Sequence, residues 1–256
     1  MIHPTAVIDP AAEVATDATI GPYCVIGAGV QIGSGCVLKS HVAVSGKTTI
    51  GKDNTIFPFS SIGAEPQDKK YRDEETETII GDGNTIRENV TINRGTVDDL
   101  GATKIGNDNW IMAYVHVAHD CVVGDHTIMA NCTTLAGHVH IGDWAILGGF
   151  TKVHQFCKIG AHAFTAMNAD LQKDVPPFVM AQGSPAIPRA INFEGLKRRG
   201  FDKDSLAAIK KAYRLLYKSD LSLNDAMIQM QDLAENSSEV GQMVNFIQQS
   251  ERSIIR

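Results

Sequence analysis

The sequence predicts a mainly β protein: a parallel β-helix wound from six-residue repeats, with a small α-helical domain behind it. Three observations carry that reading. An aliphatic residue recurs at every sixth position, glycine or a short side chain recurs at fixed places after it, and from Asn192 onward the period becomes that of an α-helix.

Stepping by six from Ile2 gives Ile8, Val14, Ile20, Ile26, Ile32, Leu38, Val44, Ile50, Ile56 and Ile62. The next slots hold Asp68 and Glu74 before the frame resumes at Ile80, Ile86 and Ile92, so residues of about 63–79 are expected to leave the coil as a loop. Asp98 breaks the frame again, and it returns one residue late at Ile105, then Ile111, Val117, Val123, Met129, Leu135, Ile141, Leu147, Val153 and Ile159. A second loop is therefore expected near 93–104. Each six-residue unit supplies a short strand and a corner, and three units close one triangular coil. Glycine often follows the inward aliphatic residue, as at Gly21, Gly124 and Gly142, where the corner demands an unusual backbone. Four places after that residue the side chain is short. Cys24, Cys36, Cys121 and Cys157 occupy such slots, so these thiols are packing residues. With Cys132 they make five cysteines and no C-x-x-C pair, which argues against a disulfide framework and a cysteine zinc site.

The aliphatic frame stops after Ile159. Between Asp174 and Pro188 lie Pro176, Pro177, Pro185 and Pro188, which are expected to forbid regular ladder pairing. The coil is assigned to 1–186 and the helical domain to 187–256. Leu206, Ile209, Lys210, Tyr213, Leu216 and Tyr217 share one helical face; Ser222-x-x-Asp225 caps a second helix ending near Ala234; Ser237 or Ser238 starts a third bearing Val240, Val244 and Ile247.

The chain has 256 residues and carries 23 Lys+Arg against 29 Asp+Glu, a net charge of −6, which excludes nucleic-acid binding driven by bulk basic charge. No apolar run is long enough to span a membrane, and the first ten residues have no secretory pattern, so a cytoplasmic protein is expected.

Residues eighteen apart stack on the same corner of successive coils, about 4.8 Å from one another. His119 then stacks on Gly137 and Gln155, and Asp120 on His138 and Phe156. A neutral imidazole beside a backbone amide that no side chain covers suits acyl transfer to a hydroxyl: the imidazole takes the hydroxyl proton and the N–H holds the oxyanion. No G-x-S-x-G nucleophile is present, which favours direct transfer over a covalent intermediate. Among the histidines of 116–162, His126, His140 and His162 read as polar residues on an exposed coil surface. A histidine zinc site including His116 and His119 is the competing chemistry.

Gln67-Asp68-Lys69-Lys70-Tyr71, INRGT at 92–96, HVAHDC at 116–121, LAGHVHIGD at 135–143, VHQFCKIGAH at 153–162 and NFEGLKRRGF at 192–201 together resemble the UDP-N-acetylglucosamine 3-O-acyltransferases, over nearly the whole chain. The resemblance implies a left-handed coil, a homotrimer and the first step of lipid A synthesis, without metal or cofactor, the phosphopantetheine arm arriving on the acyl carrier protein. It implies His119 as general base, Gly137 as oxyanion donor and Asp120 as a support for His119, although neighbours on a strand point apart. Asp68, Lys70, His116, His138, His154 and Gln155 match substrate-binding positions around the sugar. Asn192, Glu194, Arg198 and Arg199 match contacts to the uridine, the phosphates or the carrier's arm. The basic run of Lys197, Arg198 and Arg199 with Lys210, Lys211 and Arg214 is expected to dock the acidic carrier. Asn93 stands where the family commonly has His, which removes any cationic role there. Met167, where long-chain members tend to have Gly, is expected to end the acyl groove and select a 3-hydroxyacyl chain of about ten to twelve carbons.

Overall fold

The computed structural model describes residues 1–256, and nearly every six-residue unit contributes a two- to four-residue strand to one of three sheets. The sheets hold nine, eight and ten strands. Register follows the eighteen-residue step: His116 pairs with Thr134 and Thr134 with Lys152 on the first sheet, Val122 with His140 and His140 with Lys158 on the second, and Ile128 with Ile146 on the third. All these pairings are parallel.

The aliphatic slots from Ile20 to Ile159 form one continuous buried core. Ile2 is 54% exposed and Ile8 and Val14 are half-buried, because the first coil has no coil before it to cover them. Asn54, Asn84 and Asn109 fill the short-side-chain slot in three successive coils. Each Asn Oδ1 accepts the backbone N–H of the next coil, from Asn84 (2.9 Å), Asn109 (2.9 Å) and Thr127 (2.7 Å), which satisfies polar atoms inside an apolar interior.

Both excursions are shorter than expected. Strands Ser61–Ala64 and Glu77–Ile80 take the ends of the first, leaving 65–76 as the loop. Strands Thr91–Asn93 and Ala102–Ile105 do the same for the second, leaving 94–101. Ladder pairing uses backbone groups, so Thr78 joins Thr48, and Thr103 joins Thr78, without any aliphatic signal.

The coil also runs past Ile159. Thr165 and Leu171 are fully buried in the same frame, and their strands Phe164–Thr165 and Asp170–Leu171 pair with the coil before; a threonine in the inward slot hid this continuation. The proline-rich stretch does not end pairing either. Strands Val179–Gly183 and Ala186–Ile191 form an antiparallel hairpin on the edge of the ten-stranded sheet. Pro188 is accommodated because its strand is the outermost one and the register shifts between Met180 and Ala181. The expected division at 186/187 falls inside this hairpin, and helices begin only after Ile191.

Four helices follow: α1 (Phe193–Arg198), α2 (Lys203–Tyr217), α3 (Leu223–Ala234) and α4 (Ser238–Gln248). Asn192, Asp202, Ser222 and Ser237 cap them, each accepting a first-turn N–H with its side chain. On α2 the buried face is Ile209, Ala212, Tyr213 and Leu216; Lys210 is exposed, since a charged head has no partner in the helical core. No helix is long and apolar enough to cross a membrane.

Candidate active site

The three corners of the coil are chemically different. On the corner between the second and third sheets, carboxylates and an amide occupy the backbone N–H groups: Asn107 N donates to Asp125 Oδ1 (2.6 Å) and Asp125 N to Asp143 Oδ1 (2.9 Å). On the corner between the first and second sheets, the N–H groups of His119, Gly137 and Gln155 find no acceptor in the chain. That second arrangement leaves donors for a ligand.

His119 and Asp120 form the turn after strand His116–Val117, with Asp120 in the left-handed region (φ 57°). This turn, unlike a strand, lets adjacent side chains converge, and His119 Nδ1 lies 2.9 Å from Asp120 Oδ2. The expectation that the two point apart is thereby corrected. Asp120 is fully buried and also accepts the N–H of Thr96 (3.0 Å) and its hydroxyl (2.6 Å). Burial alone would raise its carboxyl, but the bonds from His119 and Thr96 outweigh burial and hold it below the ordinary carboxylate range. An ionised carboxylate only accepts, so Nδ1 of His119 carries the proton and Nε2 is left as a base.

Gly137 is next on the ladder. A Cβ there would stand 2.6 Å from Cε1 and 2.7 Å from Nε2 of His119, so only glycine admits the imidazole in this position. The His138 ring meets His119 edge-on at 5.0 Å and stacks on Phe156 at 4.4 Å, while its Nδ1 lies 2.6 Å from Asp99 Oδ2.

One pocket is lined by Asp68, Lys70, Thr96, Asp98, Asp99, His119, His138, His140, Gln155, Phe156, Lys158 and Glu251. Asp68, Lys70, His119, His138 and Gln155 thus come together as expected. Thr96, Asp98, Asp99 and Glu251 were missed, because loop and tail residues carry no repeat signal; Lys158, on strand Lys158–Ile159, was missed because an outward side chain of the repeat is unconstrained by its period. His140 was read as plain surface, yet it lines this pocket, and burial lowers its pKa.

Other expected residues lie elsewhere. His116 sits one strand back, its Nδ1 2.7 Å from Thr91 Oγ1, and burial, then the nearby His119, lowers its pKa. His154 is exposed, with Nδ1 3.2 Å from the Gln155 carbonyl. Asn93 donates to the Glu65 carbonyl (2.6 Å) and ties the first loop to the coil. Asn192, Glu194, Arg198 and Arg199 belong to the corner between the second and third sheets. Asn192 caps α1 and donates to the His162 carbonyl (2.9 Å), while Glu194 and Arg198 are exposed. Arg199 lies 5.1 Å over Trp144 and 3.2 Å from Nδ1 of His162. His162 is therefore no ordinary surface residue: burial, then Arg199, pushes it down to about 4. His126 likewise stacks on Trp144 at 4.2 Å. Met167, 73% exposed, is on the third corner, above Gly149 and Asn131 rather than above Gln155.

His119, Asp120 and His138 bring one potential ligand atom each within 4.8 Å of one another. The Asp120 oxygens are engaged by Thr96 and His119, and His138 Nδ1 by Asp99, which leaves the two Nε2 atoms as the uncommitted donors, one short of the three protein ligands of a catalytic zinc site.

A coil of hexapeptide units carrying an oriented imidazole beside a side-chain-free amide defines a hexapeptide-repeat transferase, and residues 102–137 match the bacterial transferase hexapeptide family model. Residues 174–255 match the model described as UDP-N-acetylglucosamine O-acyltransferase, domain 2, and residues 2–101 that of the GMPPB C-terminal domain. The acyl-[acyl-carrier-protein]–UDP-N-acetylglucosamine O-acyltransferases of Janthinobacterium sp. and Herminiimonas arsenicoxydans are 56% and 55% identical, each covering 100% of this chain and 99% of the relative. LpxA from Acinetobacter baumannii, a solved structure, is 47% identical with a TM-score of 0.97 over 100% of this chain and 99% of that one. The chain belongs to the acyl-[acyl-carrier-protein]–UDP-N-acetylglucosamine O-acyltransferase family. Its coil is accordingly a left-handed parallel β-helix, a hand that the spacing of the repeats does not set and that runs against the usual rule for parallel crossovers.

Proposed function

We propose that the protein transfers a 3-hydroxyacyl chain of about ten to twelve carbons from acyl carrier protein to the 3-hydroxyl of UDP-N-acetylglucosamine, the first step of lipid A synthesis, in the cytoplasm. The observation that carries the mechanism is the His119–Asp120 pair at 2.9 Å, which leaves Nε2 as the proton acceptor. Nε2 takes the proton as the sugar oxygen attacks the thioester carbonyl carbon, and the Gly137 N–H stabilises the tetrahedral oxyanion. The C–S bond then breaks, and the imidazolium returns the proton to the departing thiolate. Asp120 stabilises the charged imidazole without itself taking the proton. Asp68, Lys70, His138 and Gln155 line the pocket for the sugar; His116 and His154 extend it in this reading.

Asn192, Glu194, Arg198, Arg199 and Met167 are on other corners than His119 within one chain. In a homotrimer a neighbouring copy brings them to the site, the arginines to phosphate and Met167 to the end of the acyl groove. Lys197, Arg198, Arg199, Lys210, Lys211 and Arg214 give the acidic carrier a basic docking face. Acyl transfer assayed with UDP-N-acetylglucosamine and carrier thioesters of graded length tests the reading. No transfer by the wild type, or a monomer in light scattering, refutes it.

A further inference from the structure

The last residues of the chain are tied down beside the catalytic corner, although termini ordinarily fray. Asp174, fully buried in the last coil, is the tie: its N–H donates to the Ser253 carbonyl (2.9 Å), its carbonyl accepts from Ile255 N (2.9 Å), and its Oδ2 accepts from Ser250 Oγ (2.6 Å). Lys158 Nζ donates to the Gln249 carbonyl (3.0 Å), and Ile254 and Ile255 are buried. This docking puts Glu251 in the wall of the His119 pocket and sets the Arg252 guanidinium 5.5 Å from the centre of the Phe156 ring. His119, His138, Phe156 and Arg252 then form one series along the corner, each group against the next.

Arg252 is half-buried and makes no hydrogen bond or ion pair within the chain. A guanidinium lying over an aromatic face keeps its N–H edge free, and that edge matches two oxygens of a phosphate. Of the pocket carboxylates, Asp99 is engaged, its Oδ2 2.6 Å from His138 Nδ1. Lys158 Nζ is engaged by the Gln249 carbonyl, which leaves Arg252 as the cation of the docked tail with its donors free.

We propose that the docked C-terminal tail is part of the substrate site, and that Arg252, seated on Phe156, binds a phosphate ester of a substrate. The inference rests on the function proposed above, whose substrates offer two phosphate esters: the nucleotide diphosphate and the phosphodiester of the carrier's arm. A purely structural role is the rival, with Arg252 serving as counter-charge to buried Asp174.

The test compares wild type, Arg252→Gln and Arg252→Lys as full chains. Calorimetry reads the Kd of UDP and of 4′-phosphopantetheine, and kinetics read the KM of UDP-N-acetylglucosamine, of acyl carrier protein thioester and of a phosphate-free acyl-N-acetylcysteamine. The expected result for Arg252→Gln is a rise of about tenfold or more for one phosphate-bearing ligand, the worth of a charge-assisted hydrogen bond. The phosphate-free donor is unaffected, kcat stays within about twofold, and Arg252→Lys recovers part of the loss. A rise for UDP alone assigns the diphosphate; a rise for the carrier and its arm alone assigns the phosphodiester. Unchanged Kd and KM values for both overturn the proposal, and with a lowered Tm they establish the counter-charge role. A wild type that binds UDP but transfers nothing refutes the proposed function, while the Kd comparison still decides the subsite.

Discussion

Nδ1 of His119 lies 2.9 Å from Oδ2 of Asp120, although the two are neighbours in sequence. Because Asp120 sits in the left-handed region at the corner, one turn supplies both the imidazole and the carboxylate that sets its tautomer. His119→Ala is expected to lower kcat by about a hundredfold or more with the fold intact. Asp120→Asn should lower kcat by at least about tenfold, because a carboxamide no longer stabilises the imidazolium, with KM nearly unchanged. Steady-state kinetics and circular dichroism check both; full activity in either variant removes that residue from the mechanism.

The close fit of Gly137 to the His119 ring makes a second variant informative. Gly137 does not have a positive φ, so alanine is tolerated by the backbone, but its Cβ would overlap Cε1 and Nε2 of His119. Gly137→Ala is expected to cost about a hundredfold in kcat through a displaced base, with a Tm within a few degrees of wild type. A crystal structure of the variant should show the imidazole rotated away.

The two loops are stapled by Arg94, whose Nε and Nη2 donate to the Tyr71 hydroxyl at 3.0 and 2.8 Å, while that hydroxyl donates to the Glu74 carbonyl. The Tyr71 N–H in turn donates to the Asp68 carbonyl (3.1 Å), so the staple holds the turn that presents Asp68 and Lys70. Removing it in Tyr71→Phe should raise KM for the nucleotide sugar about three- to tenfold, with little change in kcat or Tm, because the loop is outside the core. A KM equal to wild type would show that the turn holds itself.

His162 is kept neutral by burial and then by Arg199, with a pKa of about 4. The unfolded chain takes this proton near 6.5, so between those values the unfolded state binds more protons and folding weakens as pH falls. Stability from this group is complete above about pH 6.5 and is lost on descending toward 4. Tm measured from pH 7 to 4.5 should fall more steeply for wild type than for His162→Phe, in which the ring still stacks between Trp144 and Phe178. Parallel slopes would mean that other groups set the acid limb.

Met167 tests chain selection. Met167→Gly should move the preferred acyl chain upward by about two carbons or more without moving KM for the nucleotide sugar. An unchanged optimum excludes Met167 as the ruler.

The coil, its inward residues and the ladder of His119, Gly137 and Gln155 were legible from sequence because they follow a local, periodic rule: every sixth residue faces inward and every eighteenth stacks. Where that rule needed a particular side chain it misled. The aliphatic frame stops at Ile159 although Thr165 and Leu171 continue the coil, and both loops are shorter than the pattern predicts, because ladder bonds are made by backbone whatever the side chain is. Periodicity sets Lys210 on one helical face with Ile209 and Tyr213, but of the three only Lys210 is exposed.

What the sequence by itself determined was thus the repeat, the corner that stacks His119, Gly137 and Gln155 and, through the resemblance, the family. Only the tertiary structure decided how distant segments complete the corner: Thr96 on Asp120, Asp99 on His138, Arg94 on Tyr71, and the tail that carries Glu251 and Arg252 to Phe156. It also placed Met167 and the Asn192–Arg199 segment on the other two corners. The physical reason is that strand stacking is set by a short period along the chain. Loop and tail docking depends instead on unique hydrogen bonds and buried side chains between residues far apart in sequence, such as Asp174 and Ser250, and no local pattern encodes them.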